Sequence, residues 1–363
     1  MKKLFLLAAM VGVALTGCMK NEVYVPKCDT PISFEVANYV AQTRANGAFD
    51  YTSFGVNAWS RDAAAATSVQ MMTDETVTLA DGKWTTTTPY YWPINGTVDF
   101  IAYYPTTVKP TIVYDYAGAD TYTYTNYTVE TVADGVDLMY ADKAIRFSAN
   151  TAAADNGTDF GIGSYGFDGV PTLFRHALAK VNFKVQNGLP TDGVYSYDIK
   201  VNSITLNVYN KGSVTLENDG TTGDASRGTW SVDGNVWTPT AGSSKVDLTW
   251  TEAVTLSDGT AKDYATRTQY VLPQTLTAGD QKITVNYTVT QYQTITIDGT
   301  PTKTKISEQT YEPTLDLRSD LLPSWQMNKN ITYTISLSSI GTQILFAPAV
   351  EEWETASGNV TIQ

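Results

Sequence analysis

Cys18 is the side chain in this sequence best placed for covalent chemistry. It closes the stretch Leu15-Thr16-Gly17-Cys18, in which small Thr16 and Gly17 let a peptidase reach the backbone. Its thiol can then accept a diacylglycerol. Lys2 and Lys3 precede an apolar run from Leu4 to Leu15. A positive start, a short apolar centre and small residues before the cut form a secretion signal. The run is about twelve residues, below the roughly 18 needed for a permanent membrane span. The pattern predicts a bacterial lipoprotein with a signal peptide at 1–18. Acyl chains then hold it at the outer membrane in place of a transmembrane helix.

The other reactive groups do not assemble into a site. His176 is the one histidine, and Cys28, the only other cysteine, lies in the polar segment after the lipid site. A nucleophilic or metal site needs companions for such residues, so His176 is expected to fill a semi-exposed slot on a strand. Asp74-Glu75 and Glu351-Glu352 are adjacent pairs whose side chains point to opposite faces of a strand. Asp155, Asp159, Asp219 and Asp224 sit in loops without the ligand series of a calcium loop. There is no phosphate-cradling glycine loop and no Cys/His metal spacing. The expectation is no catalytic residue, no metal and no cofactor.

The elements that must carry these residues are strands. The chain has 363 residues, with 12% aromatics but only 17% charged side chains. Thr, Tyr, Val and Ile dominate, punctuated by Gly, Asn and Asp, which is an all-β composition. Phe34–Val40 reads as a short first strand. Apolar residues alternate at Phe54, Val56 and Ala58; at Val98, Phe100, Ala102 and Tyr104; and at Ile204, Leu206 and Val208. They do so again from Ile283 to Val289 and from Ile331 to Leu337. A period of two predicts sandwiches with one apolar face inward and one polar face outward. Ala177, Ala179, Val181, Phe183 and Val185 share one face of a further run, with His176 opening the other. A short helix is expected within 60–72, around Asp62–Ala66. A boundary between two β domains is expected in 150–172, where Ala, Asn, Gly and Asp accumulate before Pro171.

Net charge is −13; the first 44 residues carry five cations and three anions, so the remainder holds −15. An acidic body lacks the basic footprint that nucleic acid requires. With Cys18 acylated, Cys28 has no disulfide partner, and burial alone must hold the body together. Trp84, Tyr90, Tyr91, Trp92, Tyr103 and Tyr104 could stack on sugars, but such rings more commonly form sandwich core.

Several stretches, in order, resemble the fimbrillin family of pilin lipoproteins from Bacteroidales. They begin with Leu15–Cys18, Thr43-Arg44-Ala45, Phe54–Trp59, and Tyr90-Tyr91-Trp92-Pro93 followed by Val98–Pro105. Asp137–Ala141, Phe174–Val181, Tyr270–Gln274 and Trp325–Tyr333 complete the set. The resemblance implies two tandem transthyretin-like β-sandwich domains with few short helices, and no enzymatic activity. On that pattern residues 19–44 are tether and removable leader, 45–170 the N-terminal domain and 171–363 the C-terminal one. It also implies that an arginine-directed protease cuts between Arg44 and Ala45. Loss of the leader strand opens a groove, which a strand from a neighbouring pilin subunit fills.

Two features of the sequence agree with this. Arg44 lies in a polar extended segment before a small residue, where nicking concentrates. The chain also ends in alternating apolar residues: Ile344 and Phe346, then Val350 after a break at Pro348, then Val360 and Ile362. Exposed alternation of this kind calls for a cover. Burying five such side chains is worth about 7–15 kcal/mol gross, before ordering costs. The candidate donor tail is therefore 344–363, although 340–347 could instead close the chain's own sandwich. The expected role is a polymerising fimbrial subunit that supports adhesion, passing from outer-membrane precursor to cell-surface fimbrium. The alternatives are a non-polymerising surface glycan-binding lipoprotein, meeting a glycan or host receptor through its aromatic loops, and an anchor or tip subunit of the same pilus.

Overall fold

The computed structural model describes residues 27–38, 49–62, 64–65, 67–116, 119–131, 135–147, 169–218, 227–228, 230–338 and 344–352. Among these the chain is almost wholly strand, and the one helical element is a 3-10 turn at Asp233–Asn235. Gly234 and Asn235 take positive φ there, 64° and 51°, which these two residue types tolerate. Among the described residues of 60–72, where a short helix was expected around Asp62–Ala66, none is helical. The Asp62 carbonyl accepts from the Ala65 N–H at 3.0 Å and its carboxylate from the Ala64 N–H at 2.9 Å. These bonds close a single turn, as Asp side chains favour.

Strands between Phe34 and Gly228 build a nine-stranded sheet. Its order is Met139–Ala141, Val170–His176, Phe34–Asn38, Lys83–Thr86, Val69–Ala80, Ser53–Asp62, Gly96–Tyr104, Lys143–Phe147 and Arg227–Gly228. Met139–Ala141 also pairs with Gly96–Tyr104. The first seven strands therefore close into a hydrogen-bonded ring. Closure removes sheet edges that would otherwise template aggregation.

Ring closure changes how alternation is used. Val98, Phe100 and Ala102 are buried against Phe34, Phe54 and Trp92 inside the ring. The opposite face of the same strand, Asp99, Ile101 and Tyr103, is buried as well. The expectation of a polar outer face fails here, because a second cluster covers it. That cluster joins Ile101 and Tyr103 to Tyr122, Leu178, Trp230, Trp237, Leu272 and Met327.

Farther along, two sheets share a third core. One runs Lys262–Val271, Ala179–Asn187, Lys329–Leu337, Ile344–Glu352; the other centres on Tyr195–Val208 and Lys282–Ile297. Here simple alternation holds: Ile331, Tyr333, Ile335 and Leu337 are buried and the residues between them are half-buried. Phe183 meets Trp250 edge-on at 4.8 Å, and Trp325 donates to the Tyr333 hydroxyl at 2.9 Å.

Strand pairing crosses residue 171. Val170–His176 belongs to the N-terminal ring, and Lys211–Asn218 pairs with Asp120–Thr128 in a separate four-stranded sheet. The run around His176 is two strands, not one. The chain leaves the ring after His176, bends at Ala177-Leu178, and enters the C-terminal sheet at Ala179. Periodicity survives the bend, so the sequence pattern alone hides it.

Candidate functional site

Two strands are set apart by how they are held. The first is Phe34–Asn38, within the Phe34–Val40 segment expected from sequence. It runs parallel to Val170–His176 over five pairs, from Phe34 opposite Val170 to Asn38 opposite Phe174. On its other side it meets Lys83–Thr86 through one pair only, Phe34 with Trp84. A cavity of ≈ 520 Å³ lies there, lined by 31–36 and 82–85. Ile32 and Phe34 are buried, and the Phe34 ring sits edge-on to Phe54 and Phe100, each at 5.6 Å. Such T-shaped pairs add to area burial. Gly169 permits the close approach of the partner strand, since a Cβ there would lie 2.7 Å from the Ser33 carbonyl oxygen. Nothing in the sequence flagged Gly169, which falls in the glycine-rich stretch read as a domain boundary.

The second is Ile344–Glu352. It pairs antiparallel with Lys329–Leu337 over nine residues, Ile344 opposite Leu337, Phe346 opposite Ile335 and Val350 opposite Ile331. Among the described residues it is the last strand of its sheet. Pro348 was expected to break the run, yet the strand continues through it, opposite Tyr333. Edge strands tolerate proline because one row of N–H groups has no ladder to serve. Val350 is 46% exposed. Beside it a groove of ≈ 190 Å³ is lined by Leu321, Leu322, Pro323 and Ile331 among others. Leu321 is 85% exposed. Cys18, Arg44, Ala45, Val360 and Ile362 lie outside the described residues, as do Asp155, Asp159, Asp219 and Asp224.

The motif stretches quoted above converge between these strands. Asp137–Ala141 and Phe174–Val181 meet directly: His176 is 1% exposed, not semi-exposed, with Nδ1 2.6 Å from Asp137 Oδ2. Arg175 makes a two-point ion pair with Asp142, at 2.7 and 2.9 Å. Tyr270–Gln274 and Trp325–Tyr333 then lock the crossing to the C-terminal sheets. Trp325 N–H donates to the Gln274 carbonyl, Asn328 N–H to that of Leu178, and Trp237 Nε1 to that of Ala177, each at 2.9–3.0 Å. These groups hold strands in register; they do not gather round an open pocket.

The aromatic residues considered for sugar stacking mostly form core. Trp92 and Tyr103 are buried, and Trp84, Tyr90 and Tyr104 pack against the ring's interior. Burial, with the hydrogen bond to Glu75 adding to it, pushes the Tyr90 hydroxyl up to about 12. The Tyr103 ring covers Gly55, where a Cβ would fall 2.2 Å from it, and its hydroxyl donates to Asp74 at 3.0 Å. Burial raises the Asp74 carboxyl, but hydrogen bonds from Asn57, Lys109 and Tyr103 outweigh it and hold that group below its ordinary range. Asp74 and Glu75 thus serve separate partners, as opposite faces of a strand require.

One solved structure supports this fold, and a second is less similar. A fimbrial protein from Bacteroides vulgatus ATCC 8482 superimposes with a TM-score of 0.55 at 20% identity, covering 89% of this chain and 99% of that one. The tip fimbrial protein Mfa3 from Porphyromonas gingivalis gives a TM-score of 0.38 at 8% identity, covering 89% and 100%. No curated protein matches. The fimbrillin-like family model matches residues 43–353, and the chain belongs to that family of fimbrial proteins.

Proposed function

We propose that this fimbrial protein is a polymerising pilus subunit that exchanges its leader strand for the tail of a neighbour. It is exported as an outer-membrane lipoprotein acylated at Cys18. An arginine-directed protease cuts after Arg44, and residues before Ala45, Phe34–Asn38 included, are released. The ring of seven strands then lacks one member, between Val170–His176 and Lys83–Thr86.

The observation that carries this reading is the uneven grip on Phe34–Asn38, the leader strand that follows Lys27–Pro31 and its pairing with Tyr91–Pro93. Five residues pair on one side and one on the other, with a cavity left over. A longer strand satisfies more of the Lys83–Thr86 backbone than the leader does, so replacement gains hydrogen bonds and fills space. The tail offers such a strand. Ile344–Glu352 is held by one ladder, to Lys329–Leu337, at the end of its described sheet. The apolar alternation at Ile344, Phe346, Val350, Val360 and Ile362 supplies side chains for the vacated pockets.

N-terminal sequencing of fibres released from cells tests this directly. Ala45 as first residue is expected, and Arg44→Ala should yield full-length monomer without ladders. Fibres that begin at Cys18, or Arg44→Ala fibres of normal length, contradict the processing step. Metabolic labelling with palmitate tests the anchor, and Cys18→Ala should abolish it.

A further inference from the structure

Lys143 lies at a buried junction between two sheets, and the fimbrial role gives it no task. Its side chain is 5% exposed, with Asp99 at 4% and Asp120 at 1%. Lys143 Nζ stands 2.5 Å from Asp120 Oδ2 and 3.2 Å from Asp99 Oδ2. The Tyr114 ring lies 4.8 Å from the same nitrogen, and its hydroxyl donates to Asp99 Oδ2 at 2.9 Å. The Asp115 N–H donates to Asp120 Oδ1 at 2.7 Å. Lys143 and Asp99 sit on paired strands of the nine-stranded sheet, whereas Asp120 opens a strand of the neighbouring four-stranded sheet.

We propose that Lys143 and Asp120 join in an intramolecular amide, with Asp99 as the proton relay. Overall, one ammonium and one carboxylate become one amide and one water. Asp99 takes a proton from Nζ, freeing its lone pair to attack Cγ of Asp120. The new C–N bond forms, the bond from Cγ to Oδ2 breaks, and that oxygen leaves as water. Both hydrogens of the water come from Nζ by way of Asp99, which ends as it began. No oxidant or co-reactant is needed.

The geometry selects Asp120 over Asp99 as the acyl partner. Asp120 is nearer, and the Asp115 N–H is aimed at Oδ1, where negative charge develops on the tetrahedral intermediate. The Tyr114 hydroxyl donates to Asp99 Oδ2, the oxygen that faces Nζ, and so fixes the relay beside the amine. Burial raises the Asp120 carboxyl above its ordinary range in spite of the neighbouring ammonium, which eases its uptake of the first proton that Asp99 carries from Nζ. Exclusion of water removes the reagent that would reverse the reaction. The product also relieves a buried site of one cation and one anion, both costly to desolvate.

The test is mass spectrometry of a proteolytic digest of the full chain purified from cells. A branched peptide containing Lys143 and Asp120 is expected, lighter by one water (about 18 Da) than its two linear parts combined. Linear peptides of full mass around both residues in the folded wild-type chain overturn the proposal, leaving an ion pair only. Lys143→Arg should eliminate the branched peptide. Asp99→Asn keeps the shape and should slow its formation by about 100-fold or more; formation at the wild-type rate overturns the relay assignment.

Discussion

The leader strand and the tail strand are both short, yet the molecule holds them in opposite ways. Phe34–Asn38 is an interior member of a closed ring, flanked on both sides and anchored by an aromatic side chain in the core. Ile344–Glu352 is an edge, flanked on one side, with Val350 half in solvent. An interior strand leaves a slot when it goes, while an edge strand breaks a single ladder. On the proposed exchange, the interior strand marks the receiving end of the chain and the edge strand the giving end.

The largest effect that could break this comparison is on assembly. Arg44→Ala keeps the interior strand in place and should abolish fibre ladders on gels. Deleting 350–363 should leave folded monomers, seen by circular dichroism and gel filtration, that cannot extend a fibre. Unchanged polymerisation in either case removes that strand from its role.

Stability separates the two strands next. Phe34→Ala should cost the uncut precursor about 3–5 kcal/mol in urea unfolding, as a large buried aromatic does, and leave the protein cut after Arg44 unchanged. Val350→Asp should stay within about 0.5 kcal/mol yet impair polymerisation. At the junction between the two halves, Trp237→Phe strips the donor from the buried Ala177 carbonyl and should cost about 1–3 kcal/mol. The smallest effect is on pH. The Asp74 carboxyl is held below its ordinary range when folded. Its contribution is therefore complete above about pH 4 and is lost as pH falls through the folded-state value. Asp74→Asn should flatten the acid limb of the stability curve between those points.

The sequence showed the C-terminal sheets more plainly than the ring. Ile331–Leu337 has one covered face and one wetter face, so its alternation is visible. In Val98–Tyr104 both faces are covered, and the pattern reports only one core where there are two. The His176 run looks continuous because a bend at Ala177-Leu178 does not reset a period of two. Ring closure rests on pairing residue 34 with residue 170, a non-local contact that no local pattern encodes. The strands Phe34–Asn38 and Ile344–Glu352 were legible, because each has its own alternation. What holds them was not: Gly169 and the single Phe34–Trp84 pair matter only once distant strands are side by side.

The most direct test of the central claim is a fibre structure that resolves the slot between Val170–His176 and Lys83–Thr86. The account predicts a strand there traced to residues 344–363 of the adjacent subunit, in a chain that begins at Ala45. A strand traced to the subunit's own Phe34–Asn38 would contradict it.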